Sequence, residues 1–266
     1  TDGLYIYDYK ENIAIHISKF DKRDAISDNY IFDVFKDVNG SVWIATFTGL
    51  NRFENNLAKF ITKSIYENGT LLSINYFLEM NDGNVLIGTE SGIKVFNTND
   101  ESIRDFKTFF KSKENYFESL YIYSFYLDTD SCLWVGTRDS GLYIYDIKSD
   151  KVIDVSEELD IKKLNHAVVR EMVCDEFGNF WVATNVGLCC INLKDNSYVF
   201  YNHDKKDKKS IPHDDIFDLM LSDDLLYVTT GDGLAVYDYK SDDFTTYLLP
   251  DTLTKQDVVK NNGLFD

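Results

Sequence analysis

One phrase recurs along this chain at nearly even spacing, and it limits the folds that the chain can adopt. Each copy is a short apolar run that ends in Thr, followed by two or three variable residues and then by Gly with Leu or Ile. The five complete copies read VWIATFTGLNRFE (42–54), VLIGTESGIKVFN (85–97), LWVGTRDSGLYIYD (133–146), FWVATNVGLCCIN (180–192) and LYVTTGDGLAVYD (226–238). Their threonines lie 43, 48, 47 and 46 residues apart. A period of about 40 to 50 residues made of short strands is typical of a β-propeller, in which each repeat forms one blade.

Each period predicts four strands, which we name a to d in chain order. Strand a is an apolar stretch such as IFDVF or IYSFY, strand b is the run that ends in Thr, and strand c follows the Gly. Strand d is a β-rich run such as AKFIT, FKTFF, SYVFY or FTTYL. Val, Ile, Tyr, Phe and Thr dominate all four, as strands require, and a helical turn is expected only within 157–166. The sequence therefore predicts an all-β protein built from four-stranded antiparallel blades.

The repeats also set blade boundaries. Complete blades are predicted at about 29–62, 72–110, 120–155, 166–201 and 214–248. A further copy, DGLYIYD (2–8), opens the chain, so residues 1–20 are expected to supply strands c and d of a partial blade, and 256–266 are expected to begin another. Residues 1–266 thus form a single propeller domain, or a propeller fragment, of about six blade equivalents. We expect either a sixth blade built incompletely from both ends or a piece of a larger ring.

The repeated residues are expected to serve packing. Trp43, Trp134 and Trp181 share one position in strand b, where a large side chain would fill the space between neighbouring blades. We therefore expect all three to be buried. Gly in the a–b and b–c turns permits positive φ, and Gly or Ala before the repeated Thr lets neighbouring blades approach closely. The phrase recurs because every blade needs the same shapes.

Charge disfavours several classes of partner. The chain carries 45 acidic against 27 basic side chains, for a formal net charge of −18. Such an acidic surface repels nucleic acid and anionic membranes. The sequence has no apolar run long enough to span a bilayer, so membrane insertion by this segment is not expected. The charged run HDKKDKK (203–209) is interpreted as a solvated loop before the fifth blade.

Neither a metal site nor a cofactor is predicted. The four cysteines, at 132, 174, 189 and 190, form no C-x-x-C pair, and only 4 His are present. Each Cys stands in an apolar run and is expected to be a small buried residue within a strand. DTDS (128–131) resembles the start of an EF-hand loop, but it lacks the loop Gly, so a hairpin turn is expected.

The repeats resemble the two-component-regulator propeller repeat, whose pattern runs approximately D-x-x-G-x-L-W-[IV]-G-T-x-x-G-[LI]. Residues 37–50 and 175–188 match this pattern closely. The third copy keeps Asp128 but lengthens the following turn by Ser140, the second copy lacks the Trp, and the fifth has Tyr227 in its place. Such drift between copies is expected where the requirement is shape.

This resemblance implies a function and a location. It implies the sensor region of a bacterial hybrid two-component histidine kinase, or less often of a diguanylate cyclase, in which the propeller lies in the periplasm or outside the cell as part of a membrane-anchored protein. It further implies a propeller of seven blades, an oligosaccharide ligand and a homodimer formed through the parent protein. Any kinase or cyclase activity would lie outside these residues.

The chain itself is expected not to be an enzyme. Its His residues are scattered, with no H-E-x-x-H motif, and neither a G-x-S-x-G motif nor a phosphate-binding Gly-rich loop occurs. Two alternatives stay open. The abundant carboxylates could assemble a pair suited to glycoside hydrolysis, which would make the chain a propeller lyase or glycosidase. An exposed apolar patch would instead indicate a protein-interaction platform.

A ligand is expected at the end of the blades that carries the b–c turns and the d-to-a connections, because loops on a rigid scaffold carry recognition. The variable positions of the b–c turns supply Phe47, Glu90, Arg138, Asp139, Asn185 and Asp232. Residues near the start of strand a add Tyr30, Tyr121, His166, Arg170 and His213. Tyr stacks on sugar rings, and Arg and Asp hydrogen-bond to hydroxyl groups. This set suits an oligosaccharide or another small polar ligand.

Overall fold

Five four-stranded antiparallel sheets follow one another along the chain in the computed structural model, which describes residues 2–21, 25–54, 59–80, 82–222 and 225–247. In every sheet the strands lie in the order a–b–c–d, as in a propeller blade. We number these sheets blade 1 to blade 5 in chain order. Within the described residues, two smaller sheets of two strands each accompany them.

The first part of the chain, which ends at Val169, carries three blades and both small sheets. The first small sheet pairs β1 (Leu4–Asp8) with β2 (Ile13–Ile17), where strands c and d of the partial blade are predicted. Blade 1 comprises β3 (Ile31–Lys36), β4 (Val42–Thr46), β5 (Gly49–Glu54) and β6 (Lys59–Lys63). A hairpin of β7 (Tyr66–Glu67) and β8 (Thr70–Leu71) follows.

Blade 2 comprises β9 (Ile74–Glu79), β10 (Asn84–Thr89), β11 (Gly92–Asn97) and β12 (Ile103–Asp105), followed by α1 (Phe106–Phe110). Blade 3 comprises β13 (Ile122–Leu127), β14 (Cys132–Thr137), β15 (Leu142–Asp146) and β16 (Lys151–Asp154), followed by α2 (Val155–Glu158).

The remaining strands form two further blades. Blade 4 comprises β17 (Val169–Cys174), β18 (Asn179–Thr184), β19 (Gly187–Asn192) and β20 (Tyr198–Tyr201). Blade 5 comprises β21 (Ile216–Ser222), β22 (Leu225–Thr230), β23 (Gly233–Asp238) and β24 (Asp243–Tyr247). The chain divides into two compact units, one up to Val169 and one from Arg170 onwards. The partial blade predicted at 256–266 lies outside the described residues.

The three tryptophans are buried, as the repeat predicts. Trp43, Trp134 and Trp181 expose 3%, 6% and 1% of their surface. In the first unit the Trp43 ring lies edge-on to Phe96 of blade 2 at a centroid distance of 4.8 Å. In the second unit Trp181 of blade 4 lies 5.0 Å from Tyr237 of blade 5. The repeated indole therefore fills the space between consecutive blades in both of these pairs.

Each buried indole N–H donates to the Asp that opens the preceding a–b turn. The Nε1–Oδ2 distances are 2.9 Å for Trp43 and Asp37, 3.1 Å in blade 3 and 2.9 Å in blade 4. Blades 2 and 5 lack both partners: Met80 and Leu221 take the Asp position, while Leu86 and Tyr227 take the Trp position. Asp and Trp occur together because a buried indole N–H needs an acceptor.

Two glycines show why small residues recur. A Cβ atom on Gly136 in β14 would lie 2.2 Å from Ser124 Oγ and 2.9 Å from the Val169 carbonyl oxygen. At Gly92, in a b–c turn, φ is +94° and a Cβ would lie 2.7 Å from the Phe117 carbonyl oxygen. The expected close approach and positive φ are both present, and any larger side chain would displace backbone at these points.

The segment FKTFF differs from its prediction as strand d of blade 2. Strand d is the short β12, which ends at Asp105 and not at 110, and the segment forms helix α1. Phe106 is buried and packs against Phe110 at 4.6 Å and against Tyr145 at 5.0 Å. Rings spaced three and four residues apart share one face of a helix. Burial of that face therefore overrides the β-propensity of Phe and Thr.

Two smaller predictions are confirmed only in part. The helical turn expected within 157–166 is α2, which begins earlier because the Asp154 carboxylate accepts the N–H groups of Ser156 and Glu157. All four cysteines lie in strands as free thiols, but only Cys189 is fully buried and the other three are half-buried. Cys132, Cys174 and Cys190 are partly exposed because neighbouring side chains do not completely cover the strand faces on which they lie.

Candidate ligand-binding sites

The b–c turns of all five blades share the same internal hydrogen bonds. In every blade the hydroxyl of the repeated Thr donates to the carbonyl of the Gly that opens strand c, at 2.6 to 3.0 Å. The next N–H along the chain reaches the residue before strand a: that of Phe47 donates to the Tyr30 carbonyl at 3.1 Å, and that of Arg138 donates to the Tyr121 carbonyl at 2.9 Å. The turn and the start of strand a therefore meet at one end of the blade, which we call the b–c end.

A β-bulge at the second residue of strand a adds side chains that the sequence analysis missed. The bulged residues are Phe32, Asn75, Tyr123 and Phe217. A bulge re-aims a side chain and is common beside functional sites. Its signal was readable: large apolar core residues such as Ile122 and Phe125 are three apart, whereas a regular strand buries every second residue.

Blades 2 and 3 bring five polar and aromatic residues together at their b–c ends, and we call Asn75, Glu90, Tyr121, Tyr123 and Arg138 the tyrosine–arginine cluster. The Arg138 guanidinium lies 5.0 Å from the centre of the Tyr121 ring. Tyr123 stands edge-on to the same ring at 5.2 Å. The Tyr121 hydroxyl donates to Asn75 Oδ1 at 3.4 Å, while the buried Asn75 amide donates to the Ile122 carbonyl at 3.0 Å.

Burial keeps the Tyr121 hydroxyl protonated. It is the main cause that raises the pKa of Tyr121, and it outweighs the Arg138 guanidinium, which lowers that pKa. Arg138 is exposed, whereas Tyr121 and Tyr123 are half-buried. The tyrosine–arginine cluster therefore offers aromatic faces, a hydroxyl group and a guanidinium at one accessible place. Flat apolar faces beside hydrogen-bonding groups are the chemistry that holds sugars and other small polar molecules.

Two other predicted pairs meet in the first unit. The exposed rings of Tyr30 and Phe47 lie 6.5 Å apart at the b–c end of blade 1. His166 has a φ of +61°, and its Nδ1 lies 3.2 Å from the carbonyl oxygen of Asp139. Both pairs are exposed, so they extend the surface that ligands can reach in this unit.

In the second unit Arg170 is held by protein partners. Its Nη1 donates to Asp215 Oδ1 at 2.6 Å and to the Ile216 carbonyl at 2.7 Å. The guanidinium also lies 4.9 Å from the centre of the Phe217 ring. His213 Nδ1 accepts the N–H of Asp215 at 2.9 Å. These contacts fix the start of strand a in blade 5, so Arg170 and His213 position the backbone there.

The last two candidates lie in b–c turns of the second unit. Asn185 is exposed in the turn of blade 4. Asp232 is exposed in the turn of blade 5, where its N–H donates to Thr230 Oγ1 at 3.2 Å. A cleft of about 790 Å³ opens beside Asp232, between the turn 231–233 and residues of the loop 203–212. The described part of the chain contains no group of three His, Cys, Asp or Glu residues that could hold a metal ion.

The blade architecture defines the chain as a β-propeller, and comparisons agree. Residues 25–48 and 116–139 match the family model described as a two component regulator propeller. These two segments run from the approach to strand a into the b–c turn, in blades 1 and 3. No curated protein sequence shows significant similarity to the chain. No helix among the described residues is long and apolar enough to cross a membrane.

Solved structures show the same fold at low sequence identity. The extracellular domain assigned to a hybrid two-component system, BT3049 of B. thetaiotaomicron, is 20% identical with a TM-score of 0.72, over 93% of this chain and 32% of that one. The extracellular domain assigned to a one-component system, BT4673 of the same organism, is 22% identical with a TM-score of 0.69, over 92% and 33%. A streptogramin B lyase is 8% identical with a TM-score of 0.59, over 86% and 72%. The chain thus spans about a third of the length of the first two structures.

Proposed function

We propose that this chain is the ligand-sensing propeller of a bacterial signal-transduction protein and lies outside the cytoplasmic membrane. Its ligand is an oligosaccharide or a similar small polar molecule, and the tyrosine–arginine cluster is the observation that carries this proposal. The repeat pattern and the two extracellular domains from B. thetaiotaomicron support the signalling context. The output activity belongs to a part of the protein outside these residues.

Binding without catalysis is the activity that the cluster supports best. Stacking on Tyr121 and Tyr123 holds a sugar ring by its apolar face. Arg138 donates hydrogen bonds to its oxygen atoms, while the Tyr121 hydroxyl oxygen and Glu90 accept from its hydroxyl groups. These interactions are reversible and require no bond to be broken. We therefore assign the chain a sensor role and no enzymatic step.

Binding measurements on the 266-residue chain test this proposal. We expect a screen on an array of plant and host oligosaccharides to detect binding, and isothermal titration calorimetry to show at least about tenfold weaker binding in Tyr121→Ala, which is about 1.4 kcal/mol. The control is Tyr198→Ala, because Tyr198 lies on strand d of blade 4 and does not belong to the tyrosine–arginine cluster. Unchanged affinity in Tyr121→Ala, or an array without any bound glycan, would contradict the proposal.

A protein-interaction platform is the second candidate, and the β1–β2 sheet favours it. Tyr5 and Tyr7 are each more than half exposed on one face of this sheet, and Ile13 and Ile15 are each more than half exposed on the opposite face. Exposed apolar patches of this kind mark interaction surfaces. If the candidate is right, light scattering across a concentration series will show self-association that Tyr5→Ser and Tyr7→Ser together abolish. A monomer at every concentration would exclude self-association through this patch.

A further inference from the structure

An open groove lies between blades 4 and 5, at the end of the blades that carries the a–b turns, which we call the a–b end. Two clefts open there, of about 220 and 880 Å³. Both are lined by Glu176, Phe177, Leu225 and Tyr239, so the two clefts adjoin. We call them together the a–b groove and define it by these four residues and Asp238.

Aromatic rings lead from the core of the second unit to this groove. Phe177, in the a–b turn of blade 4, lies 5.3 Å from the ring of Tyr239 of blade 5. Tyr239 lies 5.0 Å from Tyr237 and 6.3 Å from Trp181, which are both buried. Phe177 itself is 49% exposed. The outermost ring is therefore backed by packed rings, so little conformational entropy is lost when another molecule packs on it.

Blades 1 and 2 close the corresponding place with hydrogen bonds. The side-chain amide of Asn39, in the a–b turn of blade 1, donates to Asn99 Oδ1 of blade 2 at 3.3 Å. The N–H of Val38 donates to Glu79 Oε1 of blade 2 at 3.2 Å. These two bonds tie the a–b turn of one blade to the next blade.

Four changes of residue remove this closure between blades 4 and 5. The repeats align on the Asp of the a–b turn and on the Gly of the b–c turn, and the strand register places Leu221 where blade 2 has Glu79. Neither a phenyl ring nor a leucine side chain can form the hydrogen bonds seen in the first unit. The residues of blades 4 and 5 that take the positions of Asn39, Glu79, Thr98 and Asn99 are Phe177, Leu221, Tyr239 and Lys240.

The charges around the groove favour a cationic partner. Glu176 and Asp238 line it with exposed carboxylates, and Lys240 lines it with an exposed ammonium group. The lining is therefore net negative, in keeping with the formal net charge of −18 of the whole chain. A surface of this sign attracts basic partners and repels acidic ones.

Partly or fully exposed rings of this chain are paired with guanidinium groups elsewhere. Three such rings lie 4.9 to 5.1 Å from an arginine, namely Tyr121 with Arg138, Phe217 with Arg170 and Phe109 with Arg104. A cation over an aromatic face at this distance is attracted by the ring. Phe177 offers an exposed face of the same kind, and the exposed carboxylate of Glu176 is the next residue along the chain. A ring beside a carboxylate suits an arginine or lysine side chain.

We propose that the a–b groove docks a basic polypeptide segment of a partner protein. An Arg or Lys of that segment lies over the Phe177 ring and pairs with Glu176, and a neighbouring apolar side chain enters the cleft beside Leu225 and Tyr239. The inference does not depend on the glycan function proposed above, because it uses the other end of the blades. Loss of either activity leaves the other intact.

Fluorescence anisotropy on the 266-residue chain tests the inference with a labelled pentapeptide in which Leu and Arg alternate. Two further peptides carry Glu or Gln in place of Arg. We expect the Arg peptide to bind, and Phe177→Ser to bind it about fivefold more weakly, the effect of one lost cation–π contact. Glu176→Gln should weaken binding about two- to threefold through one lost exposed ion pair.

Val38→Ser is the matched control, because Val38 is an exposed apolar residue in the a–b turn of blade 1. Its affinity for the Arg peptide should stay within about twofold of the parent. Tyr121→Ala should also leave peptide binding unchanged, which separates this inference from the glycan proposal. Far-ultraviolet circular dichroism checks that these substitutions leave the fold intact.

Several outcomes would overturn the docking proposal. They are no binding of the Arg peptide up to about 1 mM, equal binding of the Glu or Gln peptide, and unchanged affinity in Phe177→Ser. Equal weakening in Val38→Ser and Phe177→Ser would also contradict it, since the peptide would then have no preference for the groove. Binding that added salt abolishes equally in the parent and in Phe177→Ser would reduce the effect to general attraction by an acidic chain.

Discussion

The two ends of each blade follow different rules. At the a–b end, blades 1, 3 and 4 repeat one arrangement, in which a buried Trp donates to the Asp of the turn at 2.9 to 3.1 Å. At the b–c end the hydrogen bonds of the turn are repeated, such as the bond from Thr to Gly, but the exposed side chains around them change from blade to blade. Arg138 lies over Tyr121 and is exposed, whereas Arg170 is tied to Asp215. Packing is repeated because all blades need it, whereas the exposed loop residues at the b–c end are not bound by that requirement and vary.

The largest expected effect lies at the a–b end. Trp181→Ala should lower the free energy of unfolding by about 3–5 kcal/mol, because a large buried ring leaves a cavity. Urea denaturation followed by fluorescence or circular dichroism measures it. Trp43→Ala should cost a similar amount, since both rings fill equivalent places. A loss below about 1 kcal/mol in either variant would show that the repeated Trp is not a packing residue.

The second largest effect on stability is expected for Asp175→Ala. The carboxylate accepts from Trp181 Nε1 at 2.9 Å and from the N–H of Asn179 at 2.8 Å. Its removal leaves a buried indole donor without its partner, which should cost about 2–3 kcal/mol in urea denaturation. Asp139→Ala, on an exposed side chain at the b–c end, should stay within about 0.5 kcal/mol of the parent. Equal losses of stability in Asp175→Ala and Asp139→Ala would contradict the difference between the a–b end and the b–c end.

A comparison of Arg138 with Arg170 tests whether residues at the b–c ends of different blades have different roles. Arg170→Ala should cost about 2 kcal/mol of stability because it removes a charge-assisted bond to Asp215 and leaves the Ile216 carbonyl without that donor. Arg138→Ala should cost less than about 1 kcal/mol, the contribution of an exposed cation–π contact, yet it should weaken glycan binding. The reverse pattern, with Arg138 required for folding and Arg170 for binding, would show that their roles are exchanged.

An ion pair at the b–c end of blade 2 predicts a pH dependence. Glu67 accepts from Lys94 Nζ at 2.7 Å and from Ser91 Oγ at 2.5 Å. The hydrogen bond from Lys94 is the main cause that holds the pKa of Glu67 below its ordinary value of 4.5. A lowered folded-state pKa contributes stability that is present above the ordinary value and is lost as the pH falls through the folded value.

Glu67→Gln should therefore lower the free energy of unfolding by about 1 kcal/mol at neutral pH, and the difference from the parent should shrink below about pH 4. Urea titrations at both pH values measure it, with the exposed Glu118→Gln as control. A difference that grows in acid would reverse the sign of this argument.

Tyr121→Phe should have the smallest effect. It keeps the ring and removes only the hydroxyl, whose bond to Asn75 is 3.4 Å long. Stability should change by less than about 0.5 kcal/mol, while glycan binding should weaken about 2- to 10-fold through one lost hydrogen bond. Calorimetry alongside urea denaturation separates the two. A large loss of stability would make the hydroxyl part of the core.

Much of the fold was readable in advance, and particular residues show why. The burial of Trp43, Trp134 and Trp181 followed from their shared position in a repeat. The β-bulges of strand a also have a signal in the sequence, the spacing of three between apolar residues. The prediction of a strand for FKTFF is wrong because its composition suits a strand, whereas the burial of Phe106 against Tyr145 selects the helix.

The candidate sites were readable only as a set of loop positions. The period of the repeat predicts that Arg138 and Arg170 lie at the same end of their blades. It does not predict the different partners that the two side chains contact. Asp215 is 45 residues from Arg170, and Tyr121 meets Asn75 across 46 residues. The charged run at 203–209, predicted to be a solvated loop, lies outside the strands with all of its residues exposed.

The sequence by itself determined the period, the strand order and the buried shape of each blade, because these depend on local patterns that recur in every copy. The tertiary structure decided which loop side chains meet. That choice depends on how one blade packs against the next, over separations of more than 40 residues, and no local propensity reaches so far. Every repeat encodes the packing of its blade, whereas the proposed binding site is assembled once, from residues that differ between repeats.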